Sequence, residues 1–261
     1  MTLSRGPVVK ICGLTRAEDI CAAADLGAWA VGFVFAPSPR RLTGVRVAEL
    51  IAEAREARGA RRDWGPLAVG VFGDASVEEI VRTVESAGLD AVQLHGALGP
   101  EAGEVRRALA GWAPPMRLSS GEPEVPASIL VIRAVAVKPE GDDREELRRC
   151  MVAARAGADL VLLDTSSRGR FGGTGTVFPW KLARAASDGR PFLVAGGIGP
   201  ENVREALSQS GAWGVDVSSG VESSPGAKDT RSMRNLVAAV NGIRGSSGVG
   251  NADALQEGSA K

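Results

Sequence analysis

Eight short apolar runs, repeated at nearly even spacing, constrain the fold of this 261-residue chain more than any other feature. Each run is rich in Val, Ile, Leu or Phe and too short for a helix, and several are apolar on both faces, as strands covered on both sides are. The runs are Pro7–Gly13, Trp29–Phe35, Leu67–Phe72, Asp90–Leu94, Ile129–Val137, Asp159–Asp164, Pro191–Ala195 and Trp213–Val217. They begin about 29 residues apart on average, a spacing that predicts strands alternating with helices.

The segments between these runs carry helix start and stop signals. Thr15 is followed three residues later by a glutamate, which is the spacing of a capping box, and Gly27 stands where that helix would end. Ser76 and Gly88 repeat the pair of signals around a second helix. Pro200 is predicted to start a later helix, because its missing N–H does no harm in a first turn.

Eight β-α units predict an α/β fold, a parallel (β/α)₈ TIM barrel, whose usual length is about 250 residues. A doubly wound open sheet is the alternative, but it would usually carry G-x-G-x-x-G after its first strand, and Cys12-Gly-Leu-Thr-Arg is not such a turn. We predict one barrel domain over residues 1–243 and a disordered tail over 244–261. Gly111–Ser128 contains four prolines and is predicted to be a loop before the fifth strand.

Composition excludes several classes of function. The 31 basic and 31 acidic residues cancel, so a basic field for nucleic acid is absent and no nucleic-acid partner is expected. Three widely spaced cysteines indicate a reducing compartment, and a single histidine leaves little basis for a zinc site, so no metal is expected. Neither a secretory signal nor a membrane span is visible, since the longest apolar run, Ile129–Val137, contains Arg133. A cytoplasmic protein without a membrane partner is expected, and its protein partners cannot be predicted from the sequence.

The first strand ends in two residues, Lys10 and Cys12, whose side chains suit acid–base or nucleophilic catalysis. Side chains alternate along a strand, so Lys10 and Cys12 share one face and point into the barrel if Val9 and Ile11 pack against helices. Active sites of such barrels lie at the carboxyl ends of the strands. A thiol beside an ammonium group is expected to have a lowered pKa and to serve as a base or nucleophile. The alternative is that Cys12 is a small buried core residue.

A carboxylate ends the otherwise apolar sixth strand. Asp164 would be costly to bury without a partner, and partial burial would raise its pKa and suit it to act as a general acid. The alternative is a loop aspartate that caps the segment after it. Asp216 ends the eighth strand in the same way.

Other polar groups are predicted to line the same mouth. Arg40 or Arg41, after the second strand, would either bind a carboxylate or form a surface charge pair. Gln93 and His95 follow the fourth strand, where the histidine would be either a ligand contact or a structural residue. Two consecutive glycine-rich loops are predicted to bind a phosphate, because glycines let backbone N–H groups approach an anion. The phosphate-binding candidates are Gly196, Gly197, Ser218, Ser219 and Gly220. The loop Arg168–Gly175 would be either a lid or a flexible connection.

These residues carry a resemblance to a known family. The motifs, in order, are Lys10-Ile-Cys12-Gly13-Leu-Thr, Val31-Gly-Phe-Val-Phe35, Ser38-Pro-Arg40, Val92-Gln-Leu-His-Gly96, Leu162-Leu-Asp164-Thr, Gly172-Gly-Thr-Gly175 and Val215-Asp-Val-Ser-Ser-Gly220-Val-Glu. The chain resembles phosphoribosylanthranilate isomerase over about residues 7–243. The resemblance implies a tryptophan-pathway isomerase that needs no cofactor and acts on a small phosphosugar.

The resemblance also implies roles for particular residues. Cys12 matches the family's general base, Asp164 its general acid and Arg40 the arginine that holds the anthranilate carboxylate, while the two glycine-rich loops match its phosphate-binding turns. Lys10, Gln93, His95 and Asp216 are expected to contact the substrate as well. Pro179 departs from the family, which often has aspartate there, and is expected to change only a helix cap.

Two rival functions have the same fold. The first is a histidine-pathway aminoaldose isomerase, which performs the same rearrangement with paired aspartates, whereas Cys12 stands where an aspartate would be expected. The second is a barrel that binds a phosphosugar without turning it over, and the presence of both Cys12 and Asp164 argues against it.

Overall fold

The computed structural model describes residues 6–59, 65–96, 99–112, 128–141, 143–165 and 177–246. Eight parallel strands close into a barrel in sequence order, with the last strand paired to the first. The strands are β1 Val8–Cys12, β2 Ala30–Val34, β3 Leu67–Phe72, β4 Ala91–Leu94, β5 Leu130–Val137, β6 Leu160–Thr165, β7 Phe192–Val194 and β8 Gly214–Val217. The barrel prediction is confirmed: each predicted apolar run coincides with one strand, although β6 extends one residue beyond its run, to Thr165.

Helices follow the strands on the outside of the barrel. They are α1 Ala17–Asp25, α2 Gly44–Arg58, α3 Val77–Ala87, α4 Ala102–Ala108, α5 Arg144–Ala154, α6 Trp180–Ala186, α7 Val203–Ser210 and α8 Thr230–Ser246. A 3₁₀ turn, Ser219–Val221, and a small antiparallel hairpin of β9 Glu222–Ser224 and β10 Ala227–Lys228 lie between β8 and α8. Within the described ranges, no helix is long and apolar enough to cross a membrane.

The core has two layers because the strands are covered on both faces. Val9 and Ile11 belong to the layer between the sheet and the helices, where they share a cluster with Ile20 of α1 and Leu50 of α2. Val8 faces inward, in the cluster that fills the barrel. The predicted alternation along β1 is therefore confirmed, and it leaves Lys10 and Cys12 on the inner face.

Two of the predicted helix ends are correct. The Ser76 hydroxyl accepts a hydrogen bond from the Glu79 N–H, as a cap should. Gly88 ends the same helix with φ +66°, a left-handed conformation that favours glycine.

Two helix starts were predicted too early. Arg16, not Thr15, precedes α1, and the Thr15 hydroxyl instead donates to the Gly226 carbonyl at 2.6 Å, which ties the hairpin to the barrel. Helix α7 begins three residues after Pro200, because the Asn202 side chain bonds both the Gly199 N–H and the Gly197 carbonyl and holds that stretch in a turn.

The remaining predictions concern a helix cap, two loops and the tail. Pro179 caps α6 without a side-chain hydrogen bond, as expected of a residue with no polar side chain. Helix α8 continues to Ser246, beyond the predicted start of the tail. Most of the proline-rich stretch, the loop Arg168–Gly175 and residues 247–261 lie outside the described residues.

Candidate active site

A cavity opens at the carboxyl ends of the strands. It encloses about 710 Å³, including space that is open to solvent. Its lining includes every predicted site residue except Lys10, namely Cys12, Arg40, Gln93, His95, Asp164, Gly196, Gly197, Asp216, Ser218, Ser219 and Gly220. The fold therefore brings together loops and strand ends that are far apart in the sequence.

Lys10 does not line this cavity but pairs with Asp216, which does. It is fully buried, and its Nζ lies 2.8 Å from both carboxylate oxygens of Asp216, its partner in the β1–β8 register. Burial alone would lower the pKa of Lys10, but the charges of Asp216 and Cys12 outweigh burial and raise it. The ammonium group therefore stays charged, and its charge acts directly on the cavity residues Cys12, His95 and Asp164.

Cys12 has a raised pKa, contrary to the expectation from its neighbour Lys10. Burial of the thiol is the largest cause, and the negative charge of Asp216 adds to it. Lys10 lowers the pKa of the thiol, but less than the other two effects raise it. The expectation of a lowered pKa was wrong because the thiol is buried and because the nearest cation, Lys10, is paired with the carboxylate of Asp216.

Asp164 has the raised pKa that the sequence predicted. It lies within β6, lines the cavity, and has its pKa raised to about 7 by burial and then by the charge of Asp216, with Lys10 opposing the shift. Its carboxyl can therefore hold a proton near neutral pH and release it to a substrate. This position also argues against the alternative of an aspartate that only caps a loop.

Gln93 and His95 form a pair at the end of β4. The Gln93 Nε2 and His95 Nε2 atoms lie 2.5 Å apart. Burial, followed by the positive charges of Lys10 and Arg133, lowers the pKa of His95 to about 4, so its imidazole is neutral at pH 7. The Gln93 Oε1 atom is buried in the cavity wall and has no hydrogen-bond partner among the described residues.

Arg40 is held by Glu222, an acidic residue that is not among the predicted site residues. Its Nε and Nη2 atoms donate to the two carboxylate oxygens of Glu222, at 2.8 and 2.5 Å. Lys228 donates to the same carboxylate at 2.8 Å. Arg40 is buried and lines the cavity, whereas Arg41 is exposed and does not. The only local sequence signal for this cluster is that two opposite charges, Glu222 and Lys228, follow the second glycine-rich loop.

The first glycine-rich loop needs glycine for its shape. Gly196 and Gly197 have φ of +83° and +65°, and a Cβ on Gly196 would lie 2.5 Å from the Thr165 side chain. A side chain at this position would therefore push the loop away from β6.

The second loop packs directly against the first. A Cβ on Gly220 would collide with the Ile198 carbonyl, so the two loops approach each other backbone to backbone. Because the Asn202 side chain bonds to the first loop at both Gly197 and Gly199, the pair presents a fixed, glycine-rich wall. Such a wall suits the binding of an anion, because glycines have no side chains that would keep the anion away from the backbone N–H groups.

The fold and the site together define a class: a (β/α)₈-barrel enzyme that combines a protonatable carboxyl, a thiol and glycine-rich loops at its mouth. A family model described as N-(5'-phosphoribosyl)anthranilate (PRA) isomerase matches residues 9–111 and 122–239. The chain belongs to this family.

Individual relatives agree with the family assignment. The N-(5'-phosphoribosyl)anthranilate isomerase of Rubrobacter xylanophilus is 40% identical over 231 residues, which are 88% of this chain and 97% of the relative. The crystal structure of phosphoribosyl anthranilate isomerase from Thermus thermophilus matches with 33% identity and a TM-score of 0.67, over 90% of this chain and 99% of the other. A further structure with 31% identity and a TM-score of 0.66, over the same shares, is that of the isomerase in complex with reduced 1-(o-carboxyphenylamino)-1-deoxyribulose 5-phosphate.

Proposed function

We propose that this chain converts N-(5-phosphoribosyl)anthranilate to 1-(2-carboxyphenylamino)-1-deoxy-D-ribulose 5-phosphate, the third step of tryptophan biosynthesis from chorismate, with Asp164 as general acid and Cys12 as general base. The observation that carries the assignment of roles is the shared cavity: both residues line it, and both have raised pKa values because they are shielded from water near Asp216. The bound product analogue in a relative supports a substrate of this class.

The first step needs an acid. Asp164 gives its proton to the ribose ring oxygen, the bond between that oxygen and the anomeric carbon breaks, and the nitrogen lone pair forms a C=N bond. The product is an open-chain, positively charged Schiff base. A carboxyl with a pKa of about 7 suits this step, because it is still protonated near neutral pH and is a stronger acid than water.

The second step needs a base. The Cys12 thiolate removes the proton from the sugar C2, the C–H electron pair forms a C1=C2 bond, and the C=N pair returns to nitrogen. The resulting enol then becomes the ketone as its hydroxyl loses a proton and C1 gains one. Burial disfavours the thiolate, so a thiolate formed in this cavity is a stronger base than one in water.

Binding uses the rest of the cavity. Arg40 takes the anthranilate carboxylate, and the loops at Gly196–Gly197 and Ser218–Gly220 take the phosphate. The unpartnered Gln93 Oε1 is suited to accept a hydrogen bond from a sugar hydroxyl, since a buried acceptor without a partner is costly. His95 stays neutral and fixes the orientation of the Gln93 amide.

The direct test is turnover of N-(5-phosphoribosyl)anthranilate, followed as loss of its fluorescence. We expect turnover without any added cofactor and without loss of rate in a metal chelator. The substrate of the histidine-pathway isomerase is the comparison. Turnover of that substrate alone would favour the rival isomerase, and binding without turnover of either would favour a phosphosugar-binding barrel.

The cellular setting is proposed from composition. A zero net charge does not favour nucleic-acid binding, and three cysteines that are all free in the structure fit a reducing cytoplasm. We also propose that residues 1–243 act as one domain, because the site draws on both β1 and β8.

Gly32 makes room for the proposed base, which gives a prediction. Gly32 pairs with Cys12 across β1 and β2, and a Cβ on it would lie 2.7 Å from the Cys12 Sγ and 3.1 Å from the Lys10 Nζ. Gly32→Ala is therefore expected to displace the thiol and lower kcat/KM by about tenfold or more, because small misplacements of a reacting group are costly. Steady-state kinetics and thermal unfolding would be measured together.

The matched control is Gly103→Ala in α4, where the new Cβ would meet only the Arg107 side chain, at an ordinary 3.5 Å. That variant should keep wild-type kinetics. If a folded Gly32→Ala protein also keeps wild-type kinetics, the catalytic position of the Cys12 thiol does not depend on the space that Gly32 leaves.

A further inference from the structure

The Arg40 guanidinium is fixed from two sides. Glu222 binds its Nε and Nη2 atoms through both carboxylate oxygens, which is the planar two-point geometry that only arginine supplies. On the other side Gly13, with φ +75°, lies so close that a Cβ there would be 2.5 Å from the Arg40 Cδ. The side chain is 9% exposed, so its orientation is set by the protein before substrate arrives.

This arrangement leaves one edge of the guanidinium for another anion. An arginine has five N–H groups, of which Glu222 takes one on Nε and one on Nη2. The two on Nη1 and the second on Nη2 form the remaining edge, and that edge can bind a second carboxylate at two points.

The Glu222 carboxylate does not cancel the positive charge of this cluster. Lys228 is fully buried and donates to Glu222 at 2.8 Å and to the Ser218 carbonyl at 3.0 Å. Burial alone would raise the pKa of Glu222, but hydrogen bonds from Arg40 and Lys228 outweigh burial and lower it. Two cations and one anion leave a net positive cluster, which is joined through Ser218 to the second glycine-rich loop.

We propose that Glu222 is a positioning residue that selects which edge of Arg40 faces the substrate carboxylate, with Lys228 balancing its charge. The inference rests on the role proposed for Arg40. A free arginine could turn toward any anion in the cavity, including the phosphate. An arginine held by Glu222 meets a carboxylate at one place and in one plane, so Glu222 acts on recognition of the anthranilate carboxylate and not on the proton transfers.

The test compares two substrates in the full-length protein: N-(5-phosphoribosyl)anthranilate and N-(5-phosphoribosyl)aniline, which lacks the carboxyl group. Glu222→Gln is expected to raise KM for the first about tenfold or more, with less than about a threefold change in kcat and little change in either constant for the second. The matched control is Glu49→Gln, which breaks an exposed ion pair with Arg46 on α2 and should leave both substrates unaffected.

Glu222→Gln removes the negative charge that pairs with the buried Lys228, and this could prevent folding. The double variant Glu222→Gln/Lys228→Met avoids this problem, because it also removes the lysine charge. It should show the same carboxylate-specific loss. Equal loss for both substrates, or no loss, in a folded Glu222 variant would overturn the inference.

Arg40→Lys separates this inference from the role on which it rests. If that variant loses the preference for the carboxylated substrate and the Glu222 variants keep it, Arg40 binds the carboxylate without positioning by Glu222. If Arg40→Lys keeps the preference, the proposed role of Arg40 fails and the inference falls with it.

Discussion

Replacing Asp164 by asparagine is expected to lower kcat by a factor of about 10² or more, which corresponds to about 2.7 kcal/mol in the activation barrier. Asparagine has the same shape but cannot give a proton to the ring oxygen, so ring opening must draw its proton from water. Steady-state kinetics with N-(5-phosphoribosyl)anthranilate would measure the loss. Turnover at the wild-type rate would remove Asp164 from the role of general acid.

Stability provides the control for this variant. The pKa of Asp164 is raised from 3.8 to about 7 on folding, so the folded protein holds this proton to a higher pH than the unfolded chain does. Between those two values stability therefore falls as pH rises, and the whole penalty is present above about pH 7. The asparagine side chain does not ionise and has no such penalty, so the melting temperature of Asp164→Asn at about pH 8 should be no lower than that of the wild type.

The pH profile connects the loss to the missing acid. In the proposed mechanism the active form has a protonated Asp164 and an ionised Cys12, although the pKa of Asp164 is about 7 and that of Cys12 is raised above its ordinary value. In that order of pKa values, wild-type kcat/KM should rise up to about pH 7, stay level, and fall only when the pH exceeds the pKa of Cys12. The residual activity of Asp164→Asn should keep rising above about pH 7, because only the ionisation of Cys12 limits it. Parallel profiles in the two proteins would contradict this assignment.

Cys12→Ser is expected to lower kcat by a factor of about 10² or more as well. A serine hydroxyl loses its proton far less readily than a thiol, and burial beside Asp216 disfavours its charged form further. Removal of the C2 proton should therefore become rate-limiting, and a substrate with deuterium at C2 should show a larger isotope effect in the variant than in the wild type.

The matched control is Cys150→Ser, because Cys150 is exposed on α5 and away from the cavity. This variant should keep wild-type kinetics. Wild-type turnover in Cys12→Ser would show that the thiol is not the base, whatever its position in the cavity.

The sequence predicts the barrel because local patterns determine its strands. The alternation in β1 places Lys10 and Cys12 on the inner face without knowledge of any distant residue, and a carboxylate at the end of an apolar strand predicts the raised pKa of Asp164. The sign of the Cys12 shift could not be predicted in this way. It depends on burial, on Asp216 and on Lys10 together, and their balance exists only in three dimensions.

The contacts of Arg40 show the same limit. Glu222 is 182 residues away along the chain, and neither residue carries a local pattern that points to the other. Thr15 has a sound capping-box pattern, yet its hydroxyl bonds Gly226, 211 residues away, because a tertiary contact took the place of the local one. Patterns of neighbouring residues thus predict the strands and the candidate groups, and long-range pairing decides how those groups are used.

The seam between β1 and β8 has a consequence for protein synthesis. Two ion pairs of the proposed site, Lys10 with Asp216 and Arg40 with Glu222, each join an early element of the barrel to a late one. A nascent chain that has left the ribosome only as far as β6 already has the proposed base and acid, but it lacks Asp216, Glu222 and the two glycine-rich loops that are proposed to bind the phosphate. The proposed site is therefore complete only after Glu222 and Lys228 have been translated, and a shorter nascent chain is expected to be inactive.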